Sequence, residues 1–513
     1  MTTWRGNGSR TDAAMAGAAA GTAAIGINEL IAGLLPGAPS FVVEVGAVVI
    51  ALQPPGAKQL VVDLFGTADK LVFNLLIVVV AIIGSAVLGI VARTRFHLAV
   101  PGFLGAGLGA MAISVLFDPL VEPILALVST GVTVGTGVGI LRWLLRGSVP
   151  SEMAQMPDWS RRRFIGTSLA VAGGAVVGSV IGRWIGELTR VATPPDVAPL
   201  PEPVDLLPPL AAGTDLAIPG LGPIVTPNAE FYRIDTALIT PRLDAATWRL
   251  TVTGMVDRSM TLTYDDLLAL PLHEQYVTIA CVSNEVGGDL VGNALWTGAR
   301  LRDVLDAAGV QRGATQVVGR SFDGWTAGFP TEWVMTDERE ALIAVAMNGE
   351  PLPAEHGFPA RLIVPGLFGY VSATKWLTEI ELTPWDAFDA YWVPLGWAKE
   401  GPILTQSRID VPRPGSSVGA RQVAVAGVAW APDRGVSRVE VQIDEGPWNE
   451  AELSVAISDA TWVQWRYPWA ASSGTHQIRV RATDGSGALQ ESRVSRPPPD
   501  GARGYHTIQV NVG

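Results

Sequence analysis

Five stretches within the first 185 residues are long and apolar enough to cross a bilayer, and they divide the chain before any motif is read. A hydrocarbon core about 30 Å thick takes about 20 helical residues to span. The stretches lie near 12–35, 71–92, 97–117, 121–144 and 163–184. A shorter run, 38–52, is bounded by Pro39, Pro54 and Pro55 and reads as an extra or re-entrant piece. Glycine recurs throughout, and Gly173, Gly174 and Gly178 are spaced to admit a neighbouring helix. Residues 1–185 are therefore expected to form a helical transmembrane region. Beyond about residue 190 charges, prolines and most of the 17 tryptophans appear, as in a water-soluble protein.

The positive charges orient this region. With five spans and the N-terminus inside, Arg5, Arg10, Arg93, Arg95, Arg142, Arg146 and Arg161 to Arg163 all fall on the cytoplasmic side. The outward loop near 54–70 balances Lys58 and Lys70 against Asp63 and Asp69. That arrangement sends everything after residue 185 out of the cytoplasm. Ser160-Arg161-Arg162-Arg163-Phe164-Ile165 before a mildly apolar stretch also resembles a twin-arginine export signal, which moves proteins already folded around a cofactor. An ordinary basic cluster before a helix would account for the charges alone. The expected location is a bacterial cell membrane, multi-pass, with the remaining domains outside. Residues 186–225 carry nine prolines, among them Pro194, Pro195, Pro208 and Pro209, and read as an extended linker.

From 226 to about 410 short alternating runs and short helical patterns interleave, which predicts an α+β domain. Thr247 to Thr253 alternates at period two. Thr263-Tyr264-Asp265-Asp266 has the form of a helix start, and the helical pattern of Leu301 to Ala308 stops at Gly309. After Pro412 and Pro414, several alternating strands separated by turns at 445–447 and 484–485 predict an all-β sandwich over 411–513.

A net charge of −12 lacks the basic footprint of a nucleic-acid-binding protein. One cysteine, Cys281, excludes an intramolecular disulfide. It ends a buried-strand pattern and opens Val282-Ser283-Asn284-Glu285-Val286-Gly287-Gly288. A lone cysteine can be a small core hydrophobe. A thiolate at a strand end can also ligate a soft or redox-active metal, but one cysteine cannot build a zinc or iron–sulfur site. Such a metal would need ligands from a cofactor with its own sulfurs. His356, Arg361 and Lys375, in His356-Gly357-Phe358-Pro359-Ala360-Arg361 and Lys375-Trp376, suit a phosphate or another anionic group.

The ordered set Phe231-Tyr232-Arg233, Ala280-Cys281-Val282-Ser283-Asn284, Gly292 to Gly298, Ser321 to Trp325 and His356 to Gly366 resembles the sulfite oxidase family of molybdopterin enzymes over roughly 225–510. The resemblance implies that Cys281 ligates molybdenum while a molybdopterin dithiolene supplies two further sulfurs. It implies that Arg233 stands near the metal and the anion pocket, and that Asn228, Asn284, His356, Arg361 and Lys375 hold the cofactor. Trp296 and Trp325 would wall the cavity. The series Ala426 to Trp430, Arg434 to Val436 and Val439 to Val441 is similar to the family's immunoglobulin-like dimerisation domain, which implies a possible homodimer.

Two departures concern the substrate. Glu285-Val286 stands where the animal and plant enzymes carry an arginine pattern, and Ala294-Leu295-Trp296 replaces Ala-Arg-Trp. Fewer cations and an added carboxylate make a poor trap for sulfite. The expected activity is two-electron oxygen-atom transfer on a small polar or peptide-linked substrate, with sulfoxide or methionine-sulfoxide reduction as the rival. A cofactor-free membrane receptor or scaffold is the alternative of another class. Expected partners are membrane lipid and a separate electron carrier such as a quinone or cytochrome. None of the five histidines is central to a span, so no haem is expected inside the apolar region.

Overall fold

The computed structural model describes residues 9–35, 37–51, 69–118, 121–146, 159–190, 200–237, 240–336, 340–419 and 422–513. Arg5, Pro54, Pro55, Lys58, Asp63, Pro194 and Pro195 lie outside the described residues, as do the side chains of Asp69, Lys70 and Arg161. The chain divides into two compact units. One is Met1–Pro195 with Ala237–Ile239, and the other is Asp196–Thr236 with Thr240–Gly513.

The first unit is helical. Its helices are α1 (Arg10–Leu34), α2 (Phe41–Ala51), α3 (Asp69–Phe117), α4 (Pro123–Arg146) and α5 (Trp159–Arg190). Among the described residues four helices have the length and apolarity to cross a membrane: α1, α3, α4 and α5. A straight α3 would be about 74 Å long at 1.5 Å per residue, more than twice a bilayer's apolar thickness. Its backbone leaves helical geometry at Arg95 (φ −140°, ψ 65°), between the two apolar stretches read from the sequence. Five expected spans thus become four helices, one of them broken at the basic segment Arg93–Arg95.

Helix α1 packs against α3, α4 and α5 and is the most enclosed of the long helices. Small residues permit this. A side chain at Gly17 would run into the backbone of Ser85 and Gly89, and one at Gly33 into Gly182. A Cβ at Gly173, Gly174 or Gly178 would instead meet nothing within 4 Å among the described residues. The N-terminus of α1 is closed by a capping box, with Ser9 and Asp12 exchanging two 3.1 Å bonds. Near the other end, Asn28 Oδ1 accepts from the amide of Phe41 at 2.9 Å and Glu29 accepts from Ser40 Oγ at 2.5 Å. These two side chains hold the start of α2, an 11-residue helix too short to cross. Glu29 also accepts from Arg183 Nε at 2.9 Å, an ion pair between residues 154 positions apart.

The second unit contains two sheets of five strands that carry the site. One has the order β2 (Met260–Thr263), β1 (Arg249–Gly254), β10 (Leu377–Thr383), β5 (Gln316–Ser321), β6 (Thr326–Pro330). The other runs β3 (Leu272–Ala280), β4 (Val291–Arg300), β7 (Leu342–Met347), β8 (Glu350–Pro351), with β9 (Arg361–Ile363) also on β7. The β7 strand is buried at every position, as its unbroken Leu-Ile-Ala-Val-Ala-Met run requires. Asn348 and Gly349, both at positive φ (53° and 79°), make the two-residue turn into β8, a conformation that favours Asn-Gly. Helix α6 (Tyr264–Leu268) starts with the capping box of Thr263 and Asp266, and α7 (Leu301–Ala308) stops at Gly309 with φ 74°. A last short helix is α8 (Gly369–Ser372).

Two further sheets complete the unit. One is β11 (Gln406–Val411), β13 (Gln422–Trp430), β17 (Val463–Ala470), β16 (Glu452–Leu453). Its companion is β12 (Ser417–Val418), β19 (Thr507–Val512), β18 (Gly474–Asp484), β14 (Val436–Ile443), β15 (Trp448–Glu450). The alternation of β19 buries Ile508, Val510 and Val512 and exposes their neighbours. Both sheets contribute to one apolar cluster, Ile409, Val425 and Trp465 from the first meeting Val439, Val441 and Val480 from the second. The open edge of β3 is covered from two directions. Val204 donates to Leu272 O at 2.8 Å, while Thr278 donates to Ala460 O at 2.9 Å and Thr278 Oγ1 accepts from the Trp462 amide at 2.8 Å. An edge so covered cannot pair with another chain.

Candidate active site

Strand β3 delivers Cys281 to the head of a tight loop. The Cys281 amide donates to Leu290 O at 2.9 Å, and the Asn284 amide donates to Cys281 O at 3.0 Å. Asn284 Oδ1 accepts from the Leu290 amide at 2.9 Å, so this side chain closes the loop. The cysteine is in no disulfide and only 7% exposed.

Beside it lie groups whose charges and bonding are incomplete. Arg361, at the start of β9, is 3% exposed and donates through Nη1 to His356 O at 3.0 Å. Its guanidinium stands over the Trp296 ring at 5.0 Å, and its Nε has no hydrogen-bond partner. Burial lowers its pKa to about 10, an effect opposed by Tyr232. His356 donates through Nε2 to Asn228 O at 2.9 Å, a bond to a carbonyl that requires the proton on Nε2. Its Nδ1 is then a bare acceptor, buried and unmet. Burial, with Arg361 and Lys375 adding to it, lowers the imidazole to about 4, so it is neutral at physiological pH. Lys375 donates to Glu355 O at 2.9 Å and pairs with Asp235 at 3.2 Å. Desolvation brings its ammonium down to about 8 despite that carboxylate.

Tyr232 ties the cluster together. It is only partly buried as a residue, yet enough protein surrounds its hydroxyl that desolvation dominates. The Cys281 thiol acts in the same direction and Arg361 against it, so Tyr232 stays a neutral phenol. Phe231 stacks on Tyr232 (5.2 Å between centroids) and sets its edge to Trp296 (5.8 Å) and His356 (5.7 Å).

The expected residues divide by what the fold does with them. Arg361 is buried in contact with His356 and Trp296, and the buried Cys281 and Arg361 both act on Tyr232. Lys375 follows in the segment that also holds Thr374, whose buried hydroxyl has no partner among the described residues. Asn228 is anchored by its own side chain, donating to Met347 O at 3.2 Å and accepting from Asn348 at 2.8 Å. Its carbonyl, not its amide, meets His356. Arg233 is 43% exposed and binds Thr240 at 2.7 Å and, at 3.1 Å, the same Asp235 that pairs with Lys375. Trp325 is partly buried. Sequence reading passed over Tyr232, Asn348 and Asp235. Asn348 had a signal in its Asn-Gly turn, and it also donates to Thr226 O at 2.9 Å and accepts from the Leu295 amide at 2.9 Å. Tyr232 had only its place in Phe-Tyr-Arg.

Among the described residues no three His, Cys, Asp or Glu converge to hold a metal, so an ion at Cys281 would need ligands from outside the chain. The unmet Arg361 Nε beside an unmet His356 Nδ1 calls for a partner offering an anionic acceptor and a donor.

Residues 237–392 match the model of the oxidoreductase molybdopterin binding domain. Human mitochondrial sulfite oxidase is 34% identical over 341 residues, covering 56% of this chain and 62% of the human protein. An uncharacterized oxidoreductase, YuiH, of Bacillus subtilis is 36% identical over 158 residues, which are 31% of this chain and 76% of the relative. The chain belongs to the sulfite oxidase family of molybdopterin oxidoreductases. The family's domain model contains Cys281, Asn284, His356, Arg361 and Lys375, while Asn228 and Arg233 precede it. The sulfane dehydrogenase SoxCD of Paracoccus pantotrophus shares the fold, with a TM-score of 0.51 at 23% identity over 57% of this chain and 82% of that one. This sulfite oxidase family member spans 49% to 62% of the length of the rat and human enzymes it matches. Within that matched range lie a buried thiol, a neutral histidine and a buried guanidinium that meets no carboxylate among the described residues.

Proposed function

We propose that this protein is a membrane-anchored molybdopterin-dependent oxidoreductase that transfers an oxygen atom, with two electrons, to or from a small polar substrate outside the cytoplasm. The observation that carries the reading is the pair of buried groups that act on Tyr232, the Cys281 thiol and the Arg361 guanidinium, which has no carboxylate among the described residues. Removing a guanidinium from water is costly unless an anion meets it. Arg361, with Lys375, would hold an anionic cofactor tail, and Cys281 would hold the metal. His356 Nδ1 would accept a hydrogen bond from the cofactor, with Asn228 fixing the tautomer through its carbonyl. Asn284 acts one step back, by closing the loop that presents Cys281. Bound there, the molybdenum cofactor supplies a two-electron couple and a site for the transferred oxygen. Tyr232, kept neutral by burial, can donate to an oxygen near Cys281 without giving up its proton.

The helices with membrane-crossing length, the Arg-rich start of α5 and the orientation of the basic loops support a multi-pass bacterial membrane protein exported with its cofactor. The two sheets that share an apolar cluster after residue 405 support an immunoglobulin-like module, and the resemblance of its sequence to the family's dimerisation domain underlies the homodimer of this reading. The electron partner on this reading is a separate carrier, a quinone or a cytochrome.

Reduction of neutral sulfoxides is the second reading, favoured by Glu285 and Leu295 in place of cations and by Arg233 being engaged with Asp235. Metal and pterin analysis of the detergent-purified chain tests the class. About one molybdenum and one pterin per chain are expected, with the metal lost in Cys281→Ala, because Cys281 supplies the chain's one thiolate. Neither group in protein from a host that makes both would leave a receptor or scaffold. Assays of sulfite oxidation and sulfoxide reduction then separate the two substrates.

A further inference from the structure

The loop that presents Cys281 is built against the C-terminal sheets, not only against its own domain. Gly287 has φ 80°, and a Cβ there would fall into the His506 ring. Gly288 is closed on the inner side by Asn284 and on the outer side by Arg408, whose Nη1 donates to Gly288 O at 2.9 Å. Arg408 is aimed by Asp410, which accepts from its Nε at 2.6 Å. His506 is fixed in turn by the Ile409 amide, which donates to its Nδ1 at 2.9 Å. Arg408, Ile409 and Asp410 lie on β11, and His506 immediately precedes β19. Strand β11 and the residue that leads into β19, from two different sheets, therefore converge on Gly287 and Gly288. Within the loop, the backbone bonds of Cys281, Asn284 and Gly288 and the Asn284 side chain also oppose its opening.

We propose that Arg408 and His506 are positioning residues for Cys281. The C-terminal region clamps the 285–288 turn and thereby sets where the thiol points and how far it is shielded. The physical reason is that the turn is glycine-rich and short of side-chain contacts of its own, while a charge-assisted bond to Gly288 O is among the stronger restraints a carbonyl can accept. The role deepens the proposed molybdenum reading but does not need it to be visible, since Cys281 is the chain's one cysteine and reports on its own surroundings.

The test uses the full detergent-purified chain and the variants Arg408→Met, Arg408→Lys and His506→Phe. Three quantities are read: the rate at which a maleimide labels Cys281, the electron paramagnetic resonance signal of bound molybdenum, and the melting temperature. Arg408→Met is expected to raise labelling about tenfold, the factor that loss of one charge-assisted hydrogen bond supports, and His506→Phe, which loses a neutral bond, by less, each with a shift of the resonance signal. Arg408→Lys, which keeps a donor, should recover most of the wild-type behaviour. Labelling and signal unchanged in both variants, with only the melting temperature lowered, would overturn the proposal and leave a structural brace. If the wild-type chain carries no molybdenum, the cofactor reading fails by that result, and the labelling rates alone still decide the clamp.

Discussion

The helical unit and the molybdopterin domain each bury a charged side chain, and they complete it differently. In the helices Glu29, 4% exposed, is met by Arg183 from a segment 154 residues away, and Ser40 fills another of its acceptor positions. In the molybdopterin domain Arg361 is as deeply buried, but what it meets is a peptide carbonyl and the face of Trp296. A carboxylate with its arginine is finished and holds helices together. A guanidinium without its anion is unfinished, and its cost is recovered only when something outside the chain arrives. The contrast separates a buried charge kept for architecture from one kept for binding.

Arg361→Met breaks the contrast at its strongest point. Cofactor content should fall at least about tenfold, as for other groups that support a metal centre, while the cofactor-free protein keeps its stability or gains about 1 kcal/mol. A large loss of stability in the cofactor-free variant would mean that Arg361 is already satisfied by the fold. Pterin quantitation and thermal unfolding give the two numbers.

The pH dependence of anion binding sharpens the same point. Burial lowers Lys375 from 10.5 to about 8, so above that value the cofactor-free site has lost one of its cations. Phosphate binding by the Cys281→Ala chain should therefore weaken as pH rises through 8, by up to about tenfold per unit, with proton uptake measurable by calorimetry in buffers of different ionisation enthalpy. A flat profile would mean that Asp235 keeps Lys375 charged throughout. His356 works on the acid side. Its folded pKa of about 4 lies below the ordinary 6.5, so the unfolded chain binds the proton first and stability is lost as pH falls from 6.5 towards 4. His356→Gln should remove that part of the acid sensitivity in an unfolding series.

Glu29→Gln is the smallest of these effects. Arg183 is 46% exposed, so it has other surroundings to turn to, and the loss should be about 1–2 kcal/mol in detergent, without change in cofactor content. A fall in cofactor content would mean that the two units are coupled through this pair.

What the sequence by itself determined was whatever depends on neighbours along the chain. The apolar stretches, the Thr263–Asp266 capping box, the stop at Gly309 and the strand ending at Cys281 are each set by a few consecutive residues and their local sterics. The cofactor class was legible for a related reason, since a lone thiol at a strand end limits the chemistry, and the motif order around it is specific. Only the tertiary structure decided which charges are satisfied. That Arg233 would pair with Asp235, that Tyr232 would lie within electrostatic reach of both Cys281 and Arg361, and that α3 would break at Arg95 are results of packing. The same holds for His356 resting on a carbonyl 128 residues away and for β11 and His506 closing on the Cys281 turn. Hydrogen bonds and desolvation act through space, and a linear sequence does not state which groups will share the same few ångströms.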